Sequence, residues 1–174
     1  MDLEARLKGI IRDVPDFPKK GIIFKDITPL LADASAFEAT VDALASPRLG
    51  SRVDLVAGVE SRGFIFGAAV AARLKAGFVP IRKPRKLPAA TISETYELEY
   101  GTDTLEMHAD AIRPGQRVLL VDDLLATGGT ARAAAAMIRR LGADLAGIAF
   151  VIELEFLKGR EKLTGLPVTS LVRF

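Results

Sequence analysis

A chain of 174 residues is long enough for one domain with a real core, and its lack of cysteine together with a single histidine, His108, excludes disulfides, thiolate chemistry, zinc–cysteine sites and histidine-cluster metal sites. The formal net charge of +2 is too small to mark a nucleic-acid-binding protein, and the longest apolar stretch, Phe64 to Ala72, is too short to cross a bilayer. The N-terminus, MDLEARLK, is acidic and amphipathic rather than basic and then apolar, so a cytoplasmic protein is expected.

Residues Leu3 to Ile11 predict an amphipathic helix with Leu3, Leu7, Ile10 and Ile11 on one face. Pro15 and Pro18 end it and predict an extended loop. In GIIFKDITPLL, Gly21 to Leu31, the apolar run Ile22-Ile23-Phe24 follows directly. Two uses are open for Phe24: a core side chain in a packed connector, or an aromatic face offered to a flat ligand. Ala36 to Ala45 is helical, and Pro47, Gly50 and Ser51 break it.

Val53 to Val59 predicts a strand, with Glu60-Ser61-Arg62-Gly63 at its carboxyl end and a small-residue helix over Gly63 to Lys75. Ligands of open α/β sheets bind outside the carboxyl ends of strands. Arg62 therefore stands where a phosphate or pyrophosphate would, and its planar fork matches oxyanion geometry. An arginine at a helix start opposes the helix dipole, which is easier to understand with an anion present. Phe78 to Ile81 is a third strand. Behind it, Arg82, Lys83, Arg85 and Lys86 crowd around Pro84. Such a run is commonly a solvated loop, and a polyanion would give these cations a partner. Thr91 to Glu99 and Asp103 to Ala109, joined by a Tyr100-Gly101-Thr102 turn, alternate weakly. They predict a flexible hairpin rather than a core element, with His108 one of its side chains.

The stretch Arg117 to Thr130, RVLLVDDLLATGGT, organises the rest. Val118 to Val121 suits a short buried parallel strand. It ends in Asp122 and Asp123. Ala126, Thr127, Gly128, Gly129 and Thr130 then lead into a helix over Ala131 to Leu141. Glycines allow close backbone approach, and the N–H groups of a helix start favour an anion. Two carboxylates beside an anion site make no sense for phosphate itself, but they suit the hydroxyls of a sugar that carries it. The stretch therefore reads as a sugar-phosphate site, with phosphate on 126–130 and a ribose diol on Asp122 and Asp123. The residues do not divide the diol contact between the two acids. No Gly-Lys-Ser/Thr follows, so this is not a Walker loop, and no G-x-G-x-x-G marks a dinucleotide site. Ala134, Met137, Ile138 and Leu141 predict the buried stripe of the helix, with Gly142 its stop. Leu145 to Ile152 and Pro167 to Val172 are further strands, separated by the short charged stretch FLKGREKL. Strands alternating with helices predict an α/β fold: a doubly wound, mainly parallel sheet with flanking helices.

VLLVDDLLATGGT resembles the phosphoribosyl pyrophosphate motif of the type I phosphoribosyltransferases, closely in the form carried by members acting on adenine. The likeness covers the whole chain. FPKKGIIFKDITPLL resembles the segment that lines the base pocket. This implies stacking on Phe24 and readout of the base edge by backbone near Ile23 and Lys25. GVESRGFIFG resembles the pyrophosphate turn. The resemblance puts Arg62, Arg82, Lys83 and Lys86 on the pyrophosphate side, one of these basic-run cations reaching across a homodimer interface. LEYG resembles the catalytic loop, implying Glu99 as the catalytic residue near the imidazole side of the base, with Tyr100 beside it.

The implied layout is one domain, 1–174, with an N-terminal hood segment over 1–35 and a flexible catalytic hairpin over 83–110. The implied reaction joins adenine and phosphoribosyl pyrophosphate to give AMP and pyrophosphate, as in purine salvage. Its cofactor is Mg2+, bound through the substrate near Asp122 rather than by protein side chains directly. The alternatives are a phosphoribosyltransferase for xanthine or hypoxanthine, and a regulator that senses phosphoribosyl pyrophosphate. No nucleic-acid or membrane partner is expected.

Overall fold

The computed structural model describes residues 2–48, 51–98 and 101–174. Its centre is a five-stranded, all-parallel sheet. The strands are β3 (Leu55–Val59), β4 (Gly77–Ile81), β7 (Arg117–Leu125), β8 (Asp144–Glu153) and β9 (Val168–Arg173), in spatial order β4-β3-β7-β8-β9. The doubly wound expectation holds. Strand β7 lies in the middle, and alternate residues serve opposite faces, as the period of two requires. Val118 and Leu120 pack into a core with helix α5 (Gly129–Arg140). Leu119 and Val121 pack into a second core with α3 (Ala34–Ala45), α4 (Arg62–Leu74) and the N-terminal segment. A strand covered on both faces has no polar side, which is why this run is continuously apolar.

Local chemistry sets the helix ends. Asp33 caps α3 by accepting the Ala36 N–H at 2.9 Å. At the far end of α5, Gly142 turns the chain with φ +80°. The stripe of α5 buries Ala134, Met137 and Ile138, while Leu141 is only partly covered.

Three expectations are corrected. The loop behind α1 (Leu3–Ile10) is a two-stranded antiparallel ribbon, β1 (Arg12–Pro15) with β2 (Ile23–Asp26). Its prolines lie at the end of β1 and in the connection, where a missing N–H costs no ladder bond. Second, β7 does not stop before its acids. Its long neighbour β8 offers backbone partners as far as Glu153, so Asp122 pairs with Phe150 inside the ladder.

Third, the hairpin of β5 (Thr91–Glu97) and β6 (Thr102–His108) is not separate from the core. Leu105 and Met107 are fully buried in the α5-side cluster, with Ile92 and Tyr96 packed beside them. Backbone bonds between Arg82 and Glu106 tie β6 to the end of β4. The hairpin's polar side chains share strands with these apolar ones on alternate positions, and its mixed composition hid the buried face.

Candidate active site

The carboxyl edge of the sheet gathers most of the residues singled out above. Gly128 (φ +80°) is the N-cap of α5, a backbone conformation that favours glycine. The loop 126–130 and the helix start enclose a cavity of about 70 Å³, lined by Leu124, Leu125, Ala126, Thr127, Gly128, Thr130 and Ala131 together with Asp122 and Phe150. The helix N-terminus makes this a phosphate-type cradle.

Helix α4 starts hard against the acids. A Cβ on Gly63 would stand 2.6 Å from Asp122 Oδ1 and 3.3 Å from both Asp122 Cα and Val121 O. Asp122 and Asp123 are 9% and 6% exposed, and Asp122 Oδ1 accepts the Asp123 N–H at 2.9 Å. Burial, and then the charge of Asp123, push the Asp122 carboxyl well above the ordinary carboxylate range. Asp123 is also raised by burial, with the Arg62 charge opposing.

Arg62 Nη2 lies 2.9 Å from Asp123 Oδ2, but off the hydrogen-bonding direction, so this buried oxygen has an ion pair and no hydrogen bond. Such an acceptor costs about 1–3 kcal/mol until a donor arrives. The expectation of an Arg62 waiting for an external anion is modified: Asp123 already offsets the unfavourable dipole placement.

Because folded Asp122 holds its proton to higher pH than the unfolded chain, this group's contribution to stability falls as pH rises upward from the ordinary carboxylate range through its raised pKa. In Asp123→Asn the neighbouring negative charge is gone. Carbon NMR of the Asp122 carboxyl should then show titration at lower pH than in the parent protein, and an unmoved midpoint would contradict this coupling.

Phe24 is half-buried, with the Arg62 guanidinium 5.0 Å from its ring centroid and Phe17 edge-on at 5.2 Å. It therefore belongs with the site. Alternation along β2 turns Ile23 and Lys25 the other way. Both border a separate apolar cavity of about 480 Å³ with Leu154, Leu157 and Phe174. The Lys25 ammonium bonds Asp13 at 2.7 Å and lies 3.7 Å from the Phe174 ring centroid. The site face of β2 around Ile23 and Lys25 is therefore left to the backbone.

The cationic run is not a set of free charges. Arg82 Nε donates to Glu60 Oε2 at 2.9 Å, and its Nη1 donates to Lys86 O at 3.1 Å. The Lys83 N–H also bonds Glu60, at 3.0 Å, and the Lys83 ammonium pairs with Asp103. Burial lowers the Lys83 pKa, but the Asp103 hydrogen bond and nearby charges carry it net upward, so it stays a cation. Glu106 Oε2 accepts the Arg85 N–H at 3.0 Å, and the Lys86 side chain is exposed.

Glu60, Asp103 and Glu106 were missed by sequence reasoning, as was Tyr96. The Tyr96 hydroxyl accepts from Thr130 Oγ1 at 3.1 Å and donates to Asp103 Oδ2 at 3.2 Å. Hairpin, cationic loop and phosphate-type loop are thereby joined. Of the carboxylates, only Glu60 carried a local signal, standing beside Arg62 at a strand end. Glu99 and Tyr100 lie outside the described residues.

A central parallel strand that ends in paired acids and a glycine loop, with cations from the neighbouring strand ends, defines a phosphoribosyltransferase-type site. Residues 30–164 match the family model described as a phosphoribosyl transferase domain. An adenine phosphoribosyltransferase of Acidobacterium capsulatum is 61% identical over 168 residues, covering 97% of this chain and 93% of its own. The crystal structure of the adenine phosphoribosyltransferase of Thermoanaerobacter pseudethanolicus superposes with a TM-score of 0.94 at 56% identity, covering 98% of this chain and 99% of its own. The Saccharomyces cerevisiae enzyme, solved with an imino-altritol bisphosphate and adenine, gives 0.91 at 42% identity, covering 97% and 98%. The chain belongs to the adenine phosphoribosyltransferase family and is a pentosyltransferase enzyme.

Proposed function

We propose that the chain transfers the phosphoribosyl group of phosphoribosyl pyrophosphate to adenine, releasing pyrophosphate and forming AMP for purine salvage. The observation that carries this reading is Asp123 Oδ2, a buried acceptor without a hydrogen bond, next to a phosphate-sized cradle and facing Arg62. A ribose hydroxyl supplies the missing donor. The loop 126–130 clamps the 5′-phosphate with N–H groups and the hydroxyls of Thr127 and Thr130, and this remote binding orients the reacting carbon.

As the bond from the ribose carbon to pyrophosphate breaks, the sugar takes on oxocarbenium character. The carboxylate of Asp123, with Asp122 beneath it, favours that charge. Arg62, Arg82, Lys83 and Lys86 take the charge growing on pyrophosphate. Lys83 keeps donors to spare beyond its bond to Asp103, since an ammonium has three. Adenine stacks on Phe24, with backbone at Ile23 and Lys25 reading its edge. Glu99 handles the imidazole proton as the base nitrogen attacks, with Tyr100 beside it. Residues 1–35 serve as a hood, and the 83–110 hairpin, anchored by its buried face, helps to cover the sugar cation against water.

Among the described residues no three His, Cys, Asp or Glu side chains gather to cage a metal. The buried Asp122–Asp123 pair would suit a Mg2+ ion held through the substrate near Asp122. When bound, it supplies charge neutralisation of the leaving pyrophosphate. The protein works in the cytoplasm as a homodimer in this reading, and no helix among the described residues is long and apolar enough to span a membrane.

Purified protein with Mg2+ and phosphoribosyl pyrophosphate is expected to form nucleotide from adenine and not from hypoxanthine or xanthine, followed by chromatography. Turnover of hypoxanthine without AMP from adenine would sink the substrate assignment.

A further inference from the structure

The charged stretch after β8 has no role in the chemistry above, yet its backbone touches the phosphate-type loop. Two short 3-10 turns, Glu155–Leu157 and Gly159–Leu163, are joined at Lys158, whose φ is +53°. A Cβ on Gly159 would stand 2.9 Å from Gly128 N and 3.0 Å from the Ala126 carbonyl carbon, and nearer still to Ala126 O. Reciprocally, a Cβ on Gly128 would stand 3.1 Å from Gly159 C and 3.2 Å from its Cα. Every atom named is backbone, so no flexible side chain can give way.

The turn is itself anchored. Leu163 is buried in the core with α5. Arg160 bonds both Glu153 oxygens, at 2.9 and 2.5 Å, and also Val168 O at 3.0 Å and Ser170 Oγ at 3.1 Å. Glu153 is 5% exposed and pairs in register with Leu125, the residue that precedes the loop. A planar guanidinium held at this many points cannot slide.

We infer that this turn is the rear wall of the phosphate loop, with Gly159 a positioning residue that fixes the 126–128 peptides in their binding orientation before substrate arrives. The inference rests on the assignment of 126–130 to the 5′-phosphate. Donors aimed in advance need no reorganisation on binding, whereas a loop without its wall must be ordered by the ligand.

The test compares calorimetric affinities for AMP and for adenosine, together with KM for each substrate. In Gly159→Ala, affinity for AMP and KM for phosphoribosyl pyrophosphate should worsen at least about tenfold, since displacements near 1 Å carry such effects. Adenosine affinity and KM for adenine should not change. A merely structural role would lower the folded fraction and leave the AMP-to-adenosine affinity ratio of the folded protein untouched, and that result overturns the inference.

If Gly159→Ala does not fold, Glu153→Gln loosens Arg160 without adding an atom at the contact. It should erode the same ratio to a smaller degree, and an unchanged ratio again overturns the inference. Parent protein that binds AMP no better than adenosine would remove the phosphate assignment itself, and the inference with it, at the first step.

Discussion

Asp123→Asn is expected to lower kcat/KM for phosphoribosyl pyrophosphate by about 30- to 150-fold, the effect of losing about 2–3 kcal/mol from hydrogen bonds to a charged acceptor. The substitution is nearly isosteric, so the pocket keeps its shape. It removes the charge that the ribose hydroxyls meet in the proposed complex at Oδ2, an oxygen that is buried and lacks a hydrogen bond. It also deprives Arg62 of its 2.9 Å partner. AMP binding should weaken too, because the diol is present in the product. The fold should survive, since one of two adjacent buried carboxylates is neutralised and the other is relieved of repulsion. Steady-state kinetics with varied phosphoribosyl pyrophosphate, beside a thermal melt, check both statements. An unchanged kcat/KM in folded protein would show that the diol lies elsewhere.

How much of this was legible follows from the range of each interaction. The parallel sheet could be read because β7 and its neighbours carry their covering on both faces as local composition. The candidate sugar-phosphate site could be singled out because Asp122, Asp123 and 126–130 are contiguous, and one strand end delivers them together. Arg62 and Phe24 were legible as candidates but not as partners. Their 5.0 Å approach depends on how the β1–β2 ribbon folds back over the start of α4.

Glu60, Asp103 and Glu106 were not singled out, because each acts through tertiary pairing with the 82–86 run. Tyr96 lies 34 residues from Thr130, and nothing local marks that bond. Gly159 was invisible for a different reason. A glycine in a charged turn looks like conformational freedom, and only the facing backbone of Ala126 and Gly128 reveals it as a steric requirement. The buried face of β6 was missed because two apolar residues among polar ones give too weak an alternation to distinguish a lid from a core strand.

Gly63→Ala should be a strongly damaging single-methyl change at the site. Its Cβ would fall 2.6 Å from Asp122 Oδ1. That carboxyl cannot rotate away freely, because it is buried and accepts the Asp123 N–H. Behind it stand backbone atoms of Val121 and Asp122, at 3.3 Å. Relief therefore requires the start of α4 to lift from β7, and Arg62 moves with it as the preceding residue. Overpacking of this kind costs about 1–3 kcal/mol, and about 2 kcal/mol corresponds to a Tm lower by about 4–8 °C for a domain of this size. The effect on turnover should be larger than the effect on stability. A shift of about 1 Å in Arg62 and the acids suffices for a loss of about 100-fold in kcat/KM for phosphoribosyl pyrophosphate. KM for adenine should rise as well, since Arg62 also packs over Phe24. The same methyl at Gly9, where nothing lies within 4 Å, should leave both rates unaltered. Gly63→Ala with near-parent turnover at a lowered Tm would mean that α4 and β7 can separate without disturbing the reacting groups, and that the close contact serves packing alone.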